Sequence, residues 1–224
     1  RHTRYWRDWS SDVCSSDLLG LAYELTDRMI IQSDLYYGSI HASDKFNSRN
    51  RARNLSFSSD IFEYSLGFDY VLFNLYEVDA SPFVFLGGAV FSFNPYIDLE
   101  NGNRIILRDY STEGQGFYQD RQKYKLRQFS IPFGGGVLYS FNNRIRLGFE
   151  LGFRKTFTDY LDDVSTTYVD KNLLMSKLGN LAPTIAYRGD LLPGGAPYPA
   201  EGTMRGNPKN KDMYYFAGLS FKYR

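Results

Sequence analysis

The sequence has little cysteine, tryptophan or histidine, almost no net charge and no long apolar run. Of 224 residues one is cysteine (Cys14), two are tryptophan (Trp6, Trp9) and two are histidine (His2, His41). A single thiol builds no disulfide framework, and no Cys/His set stands at metal-ligand spacing. With 26 Lys+Arg against 25 Asp+Glu, the chain lacks the bulk positive potential of a nucleic-acid binder. No apolar stretch approaches the ~20 residues of a membrane-spanning helix, which excludes a helical membrane protein. What the chain does have is 19 Tyr, 18 Phe and 20 Gly, beside a mean hydropathy of -0.40. A chain both aromatic and polar on average must sort the two kinds of side chain onto different faces.

Residues 1–18 show no apolar period, and no 7–15-residue apolar stretch follows the arginines as in a secretory signal. The string WRDWSSDVCSSDL resembles a translated sequencing-adapter read-through. On that reading residues 1–18 are a non-native or disordered segment, Cys14 carries no information, and the native domain is 19–224.

From Leu19 onward the dominant period is 2, which puts alternate side chains on opposite faces of a strand. The clearest run is 145–158. Ile145, Leu147, Phe149, Leu151, Phe153 and Phe157 share one face; Arg146, Gly148, Glu150, Gly152 and Arg154 share the other. At ~3.3 Å per residue this run spans roughly 46 Å, where a tilted strand crossing a bilayer needs only ~9–11 residues. The same alternation occurs at 61–73 (Phe62, Tyr64, Leu66, Phe68 and Tyr70 against Glu63, Ser65, Gly67 and Asp69) and at 127–141 (Phe129, Ile131, Phe133, Val137 and Tyr139 against Ser130, Gly134 and Gly136). It recurs at 213–223 (Leu219, Phe221 and Tyr223 against Gly218, Ser220 and Lys222), at 29–40 (Ile31, Leu35 and Tyr37 against Gln32 and Asp34) and at 19–25 (Leu19, Leu21, Tyr23 and Leu25 against Gly20 and Glu24). Segment 82–93 is apolar on both faces, so its orientation is open. Seven strands result.

Short connections at 26–28, 74–81 and 142–144 alternate with long ones at 41–57, 94–123 and 160–212. That alternation marks an up-and-down antiparallel transmembrane barrel with short periplasmic turns and long outer loops. Both end strands then run toward the periplasm, which makes the count odd where single-chain barrels are even. The expectation is eight strands in the intact protein and seven native strands here, the first upward strand being absent. A soluble barrel would put its apolar face inward, around a ligand; here that face is too aromatic and continuous to be left in water. The opposite face carries Glu24, Asp34, Glu63, Asp69, Arg146, Glu150, Arg154 and Lys222, which a narrow interior tolerates only if they pair.

The blocks RNLSFSSDIFEYSLGFDY (53–70), PFVFLGGAVFSFNP (82–95), TEGQG (112–116), FSIPFGGG (129–136), RKTFTDYLDDVSTTYVD (154–170) and RGNPKNKDMYYFAGLSF (205–221) occur in one order. Together they resemble the PorG-like outer-membrane barrel family of Bacteroidetes. The resemblance implies localisation in the cell outer membrane and an accessory or anchoring role in the type IX protein secretion system. It also implies contact with a periplasmic ring lipoprotein and that lipoprotein's partner, beside the outer-membrane lipid. The departure is at the front, where residues 1–18 replace the family's signal peptide and first glycine-rich strand.

Catalytic constellations are thin, and the expectation is no enzyme, no catalytic residue, no cofactor and no metal. His41 stands beside Ser43 and Asp44, but sequence neighbours make no triad without geometry. Gly134–Gly136 lacks the helix and GK[ST] of a phosphate loop and suits close packing of strands instead. Asp159, Asp162, Asp163 and Asp170 form an acidic cluster that either holds Ca²⁺ or is a solvated charged loop. Segment 170–178 reads as a short amphipathic helix started by Asp170, and 191–206 as a turn-rich, mobile span. The alternatives to a secretion role are a small pore, an adhesion or interaction barrel, or a lipid-modifying enzyme.

Overall fold

The computed structural model describes residues 2–5, 14–46, 50–99, 102–142 and 144–223; Trp6 and Trp9 lie outside them. Nine strands form one antiparallel sheet: β1 (His2–Tyr5), β2 (Cys14–Thr26), β3 (Met29–Ser43), β4 (Ser56–Val71), β5 (Ala80–Asp98), β6 (Arg104–Ile106), β7 (Arg127–Ser140), β8 (Ile145–Thr156) and β9 (Met213–Tyr223). Each long strand pairs with its neighbour in sequence, and β5 passes directly to β7. The sheet therefore curls into an all-β barrel wall of seven long strands. Two elements were not foreseen. β6 is a hairpin extension of β5, outside the wall. β1 is a four-residue strand that lies between β2 and β9. β2 itself begins at Cys14, ahead of the Leu19 start read from the alternation.

Pleating places the faces as the period-2 pattern requires. Leu66, Phe68, Phe133, Val137, Phe149, Leu151, Leu219 and Phe221 are exposed on the outer wall, while Glu63, Asp69 and Arg154 are buried within. Segment 82–93 is oriented by packing: Phe83, Ala89, Phe91 and Phe93 point inward, and Val84, Leu86 and Val90 outward. Both faces of this strand are apolar because its inner face supplies much of the core. Phe91 and Phe93 join Tyr36, Ile40, Phe57, Ile61, Tyr124, Leu161 and Tyr214 in a cluster at the long-loop end. Phe83 joins Ile30, Val71, Leu75 and Leu138 at the short-turn end.

Glycine decides how closely β7 approaches its neighbours. A Cβ at Gly136 would sit 1.9 Å from the Phe149 carbonyl oxygen and 2.8 Å from the Phe83 ring. One at Gly134 would sit 2.2 Å from the Leu151 carbonyl oxygen and 2.9 Å from the Phe85 ring. The GGG segment thus makes room for inward phenylalanines of β5. Gly136→Val is expected to destabilise the barrel by about 1–3 kcal/mol through overpacking, read as a lower urea midpoint with the slope unchanged.

Candidate functional site

Two polar assemblies occupy the molecule, one inside the barrel and one above it. Inside, six of the eight charges expected on the inner face form three cross-barrel pairs. Arg154 of β8 donates to Glu63 of β4 at 2.8 Å, and the Tyr214 hydroxyl of β9 donates to the same carboxylate at 2.9 Å. The Arg154 guanidinium lies 4.5 Å from the Phe216 ring centre. Lys222 of β9 reaches Gln32 of β3 at 2.8 Å and Asp69 of β4 at 3.6 Å, and Gln32 also donates to Asp69. At the short-turn end Arg146 pairs with Glu24, which accepts from the Tyr76 hydroxyl at 2.7 Å. Asp34 and Glu150 line an internal cavity of about 50 Å³ with Asp69 and Lys222. Unpaired charges there would cost several kcal/mol each, so the pairing is what lets a charged face be internal.

Above the barrel the long loops fold into a cap. Its centre is Glu113, fully buried in the 99–126 loop. The turn that aims it inward depends on Gly114, at φ +80°, where a Cβ would also stand 2.6 Å from Tyr118. One Glu113 oxygen accepts from the Ser165 amide at 2.8 Å and Arg205 at 3.1 Å; the other accepts from the Thr166 amide at 2.9 Å and its hydroxyl at 2.6 Å. Arg205 also donates to the Asp163 carbonyl at 2.5 Å and the Ala186 carbonyl at 3.3 Å. Arg53, from the 44–55 loop, donates to both oxygens of Asp44 at 2.9 and 3.0 Å and to the Arg205 carbonyl at 2.6 Å. Three loops are thereby cross-linked by groups whose polar atoms engage one another. Such an arrangement ties the three loops to one another.

The acidic cluster divides rather than gathering. Asp163 is fully buried and accepts from Thr112 at 2.5 Å and Tyr124 at 2.8 Å. Asp170 caps α1 (Lys171–Leu178) through the Leu173 amide at 2.7 Å. Asp159 and Asp162 are buried beside Asp212, lining a polar cavity of about 290 Å³ with Asn207 and Asn210. The expectation of a solvated loop is corrected: three of the four carboxylates are buried. Among the described residues no group of three or more His, Cys, Asp and Glu side chains is arranged to hold a metal ion. The turn-rich reading of 191–206 holds, and the span is tied to the cap. It is anchored by the Thr167–Met204 bridge and by Tyr198, packed edge-on to Tyr168 and Tyr187. His41 and Asp44 go separate ways, His41 to the Ser58 hydroxyl and Asp44 to Arg53.

Burial pushes the Asp163 carboxyl up to about 6, against the opposing pull of Arg205. Burial, reinforced by Asp212, raises Asp162 as well. A carboxyl raised in the folded state contributes stability that is present below its unfolded value, near 4, and is lost as pH rises through about 6. The cap is therefore expected to be more stable at pH 5 than at pH 7. Thermal melts of the wild type and Asp163→Asn check this, since the variant should lose part of the difference.

A family model described as a domain of unknown function, DUF6089, matches residues 18–188. The chain belongs to that family. The matched region runs from β2 through β8 and takes in Glu113, Asp163, α1 and α2 (Leu181–Ala186). No curated protein and no solved structure matches the chain. The DUF6089 fold is an all-β barrel without an apolar transmembrane helix among the described residues, which is compatible with a barrel of the outer membrane. Sequence reasoning missed the cap: Arg53, Glu113, Asp163 and Arg205 stand in four separate sequence blocks, and only folding brings them together.

Proposed function

We propose that the protein is a non-enzymatic barrel of the outer membrane, serving the type IX secretion machinery as an accessory or anchoring component. The observation that carries the membrane reading is the outer wall. Tyr, Phe and Leu side chains cover it on every long strand, while three ion pairs lie inside. In water such a wall would be a contiguous apolar patch far above the few hundred Å² a soluble monomer exposes; in a bilayer it is solvated. The secretion role is supported by the resemblance of the sequence blocks to the PorG-like family. The cross-linked cap and the short turns are then the contact surfaces for partners.

A pore is disfavoured because Phe83, Phe91, Tyr214 and the Glu63–Arg154 pair fill the interior. Planar-bilayer recordings are expected to show no stable conductance. The test of the secretion role is affinity capture from intact envelopes, with a periplasmic ring lipoprotein as the expected co-purifying partner. Capture of the barrel without that lipoprotein would contradict the role and leave the membrane barrel standing.

A further inference from the structure

β7, β8 and β9 lie side by side, paired along their length. Toward the long loops their outward residues are apolar up to one level: Phe133, Ile131 and Phe129 on β7, Leu151 and Phe153 on β8, Tyr215 and Met213 on β9. At the margin of that band the outward residues become cations. Lys155 is the last outward residue of β8, opposite Ile131 on one side and Met213 on the other. Arg127 begins β7 just above Phe129, and Lys125 precedes it, both exposed. This stretch continues the wall, since the Leu126 carbonyl between them accepts from the Phe93 amide at 3.0 Å. Lys209, exposed as well, stands in the turn that leads into β9. Phe129 and Phe157, 67 and 55% exposed, are interleaved with these cations.

No carboxylate answers them on the same face. β7 and β9 contain no Asp or Glu, and Glu150, the only one in β8, lines the internal cavity. Asp159 and Asp212 line the cavity of the cap. Among the described residues none of Lys125, Arg127, Lys155 and Lys209 belongs to an ion pair. The other flank is built differently. At the long-loop ends of β3 and β4 the outward positions carry Ser39, Ser58 and Asp60, and Arg104 is paired there with Asp60 at 3.5 Å and Asp98 at 3.0 Å. The positive excess is therefore confined to one side of the barrel, at the upper margin of its apolar band.

We propose that this flank binds the phosphate of an anionic lipid in the outer leaflet, with the lipid chain lying against Phe129, Ile131 and Phe153. A lysine at the edge of an apolar band lays its stem along the band and lifts its ammonium to headgroup level. Lys155 does so, its Nζ donating to the Lys211 carbonyl at 3.2 Å. Arg127 offers the forked donors that suit phosphate oxygens. Exposed phenylalanines at the same level form the aromatic girdle of the lipid boundary. A phosphate on this flank meets several cations at short range, where attraction has not yet been screened; on the other flank it meets Asp60 and Asp98. The inference rests on the membrane reading of the outer wall and on its orientation, and not on the secretion role.

The test uses the full chain in phosphatidylcholine nanodiscs, in a Cys14→Ser background. A fluorophore is carried by Ile131→Cys, beside Lys155, or by Leu35→Cys, outward on β3 across the barrel. A minor fraction of the lipid carries a nitroxide at one fixed acyl carbon, on either phosphatidylglycerol or phosphatidylcholine. Quenching by labelled phosphatidylcholine at both positions reports that the wall meets lipid, so the membrane reading is tested apart from the headgroup site. Quenching by the anionic lipid should exceed that by the zwitterionic one by roughly threefold or more at Ile131, and should equal it at Leu35. The excess should vanish when Lys125, Arg127, Lys155 and Lys209 are all replaced by glutamine. It should survive when the same lysines become arginine and Arg127 becomes lysine, which separates loss of charge from loss of fold. Equal ratios at the two positions, an excess retained by the glutamine variant, or an excess abolished by millimolar inorganic phosphate, which would make a free anion the ligand, would each overturn the proposal.

Discussion

Arg205→Ala is expected to destabilise the cap by about 3–5 kcal/mol, the usual cost of removing one partner from a buried ion pair. The substitution leaves Glu113 fully buried with its charge uncompensated and strips donors from the Asp163 and Ala186 carbonyls. Arg205→Lys should recover little, because a single ammonium cannot reach these diverging acceptors as a guanidinium does. Removing both charges together, as Glu113→Gln with Arg205→Met, should recover much of the loss, since the cost lies in the unpaired charge. Limited proteolysis reads the effect directly. In Arg205→Ala the loops 99–126 and 157–212 are expected to be cut while the strands stay protected. If the single variant resisted cleavage like the wild type, the cap would not depend on this pair.

Leu151→Arg is expected to block membrane assembly, at ~2–4 kcal/mol for a charge near the bilayer midplane. Leu151 lies mid-way along β8 and faces outward from a strand paired on both edges. The control is Leu191→Arg, an exposed loop position outside the wall, which should assemble normally. Folded fraction in liposomes, read from the gel mobility of unheated samples, separates the two. Normal assembly of Leu151→Arg would show that the outer wall does not meet lipid.

The strands were legible because their period is 2 and their two faces differ chemically. Phe149 and Glu150 alternate in sequence as they do across the wall. The inward charges were legible for the same reason, and their pairing followed from the cost of leaving them single. β5 was ambiguous because a strand facing core on one side and the apolar exterior on the other has no alternation to read. Its orientation is favoured by glycines on β7, far along the chain, where absent side chains admit Phe83 and Phe85. The cap was illegible on other grounds. Glu113 and Arg205 are separated by 92 residues, and neither lies on a periodic element. An acidic cluster in sequence offered a shared ion or a solvated loop, yet three of its carboxylates are buried and Asp170 caps α1. Asp163 finds Thr112 and Tyr124 from another loop, contacts no local spacing announces. The helix at 171–178 was readable because its cap is local, three residues from Asp170 to the Leu173 amide.

The central claim is that the outward face of the wall meets lipid and the inward face does not. In a Cys14→Ser background, single cysteines at Leu147, Phe149, Leu151 and Glu150 carry an environment-sensitive fluorophore, with the protein in vesicles containing nitroxide-labelled lipid. Strong quenching at Leu147, Phe149 and Leu151 with little at Glu150 is the predicted period-2 pattern. Equal quenching at all four positions, or none at any, would contradict the membrane barrel.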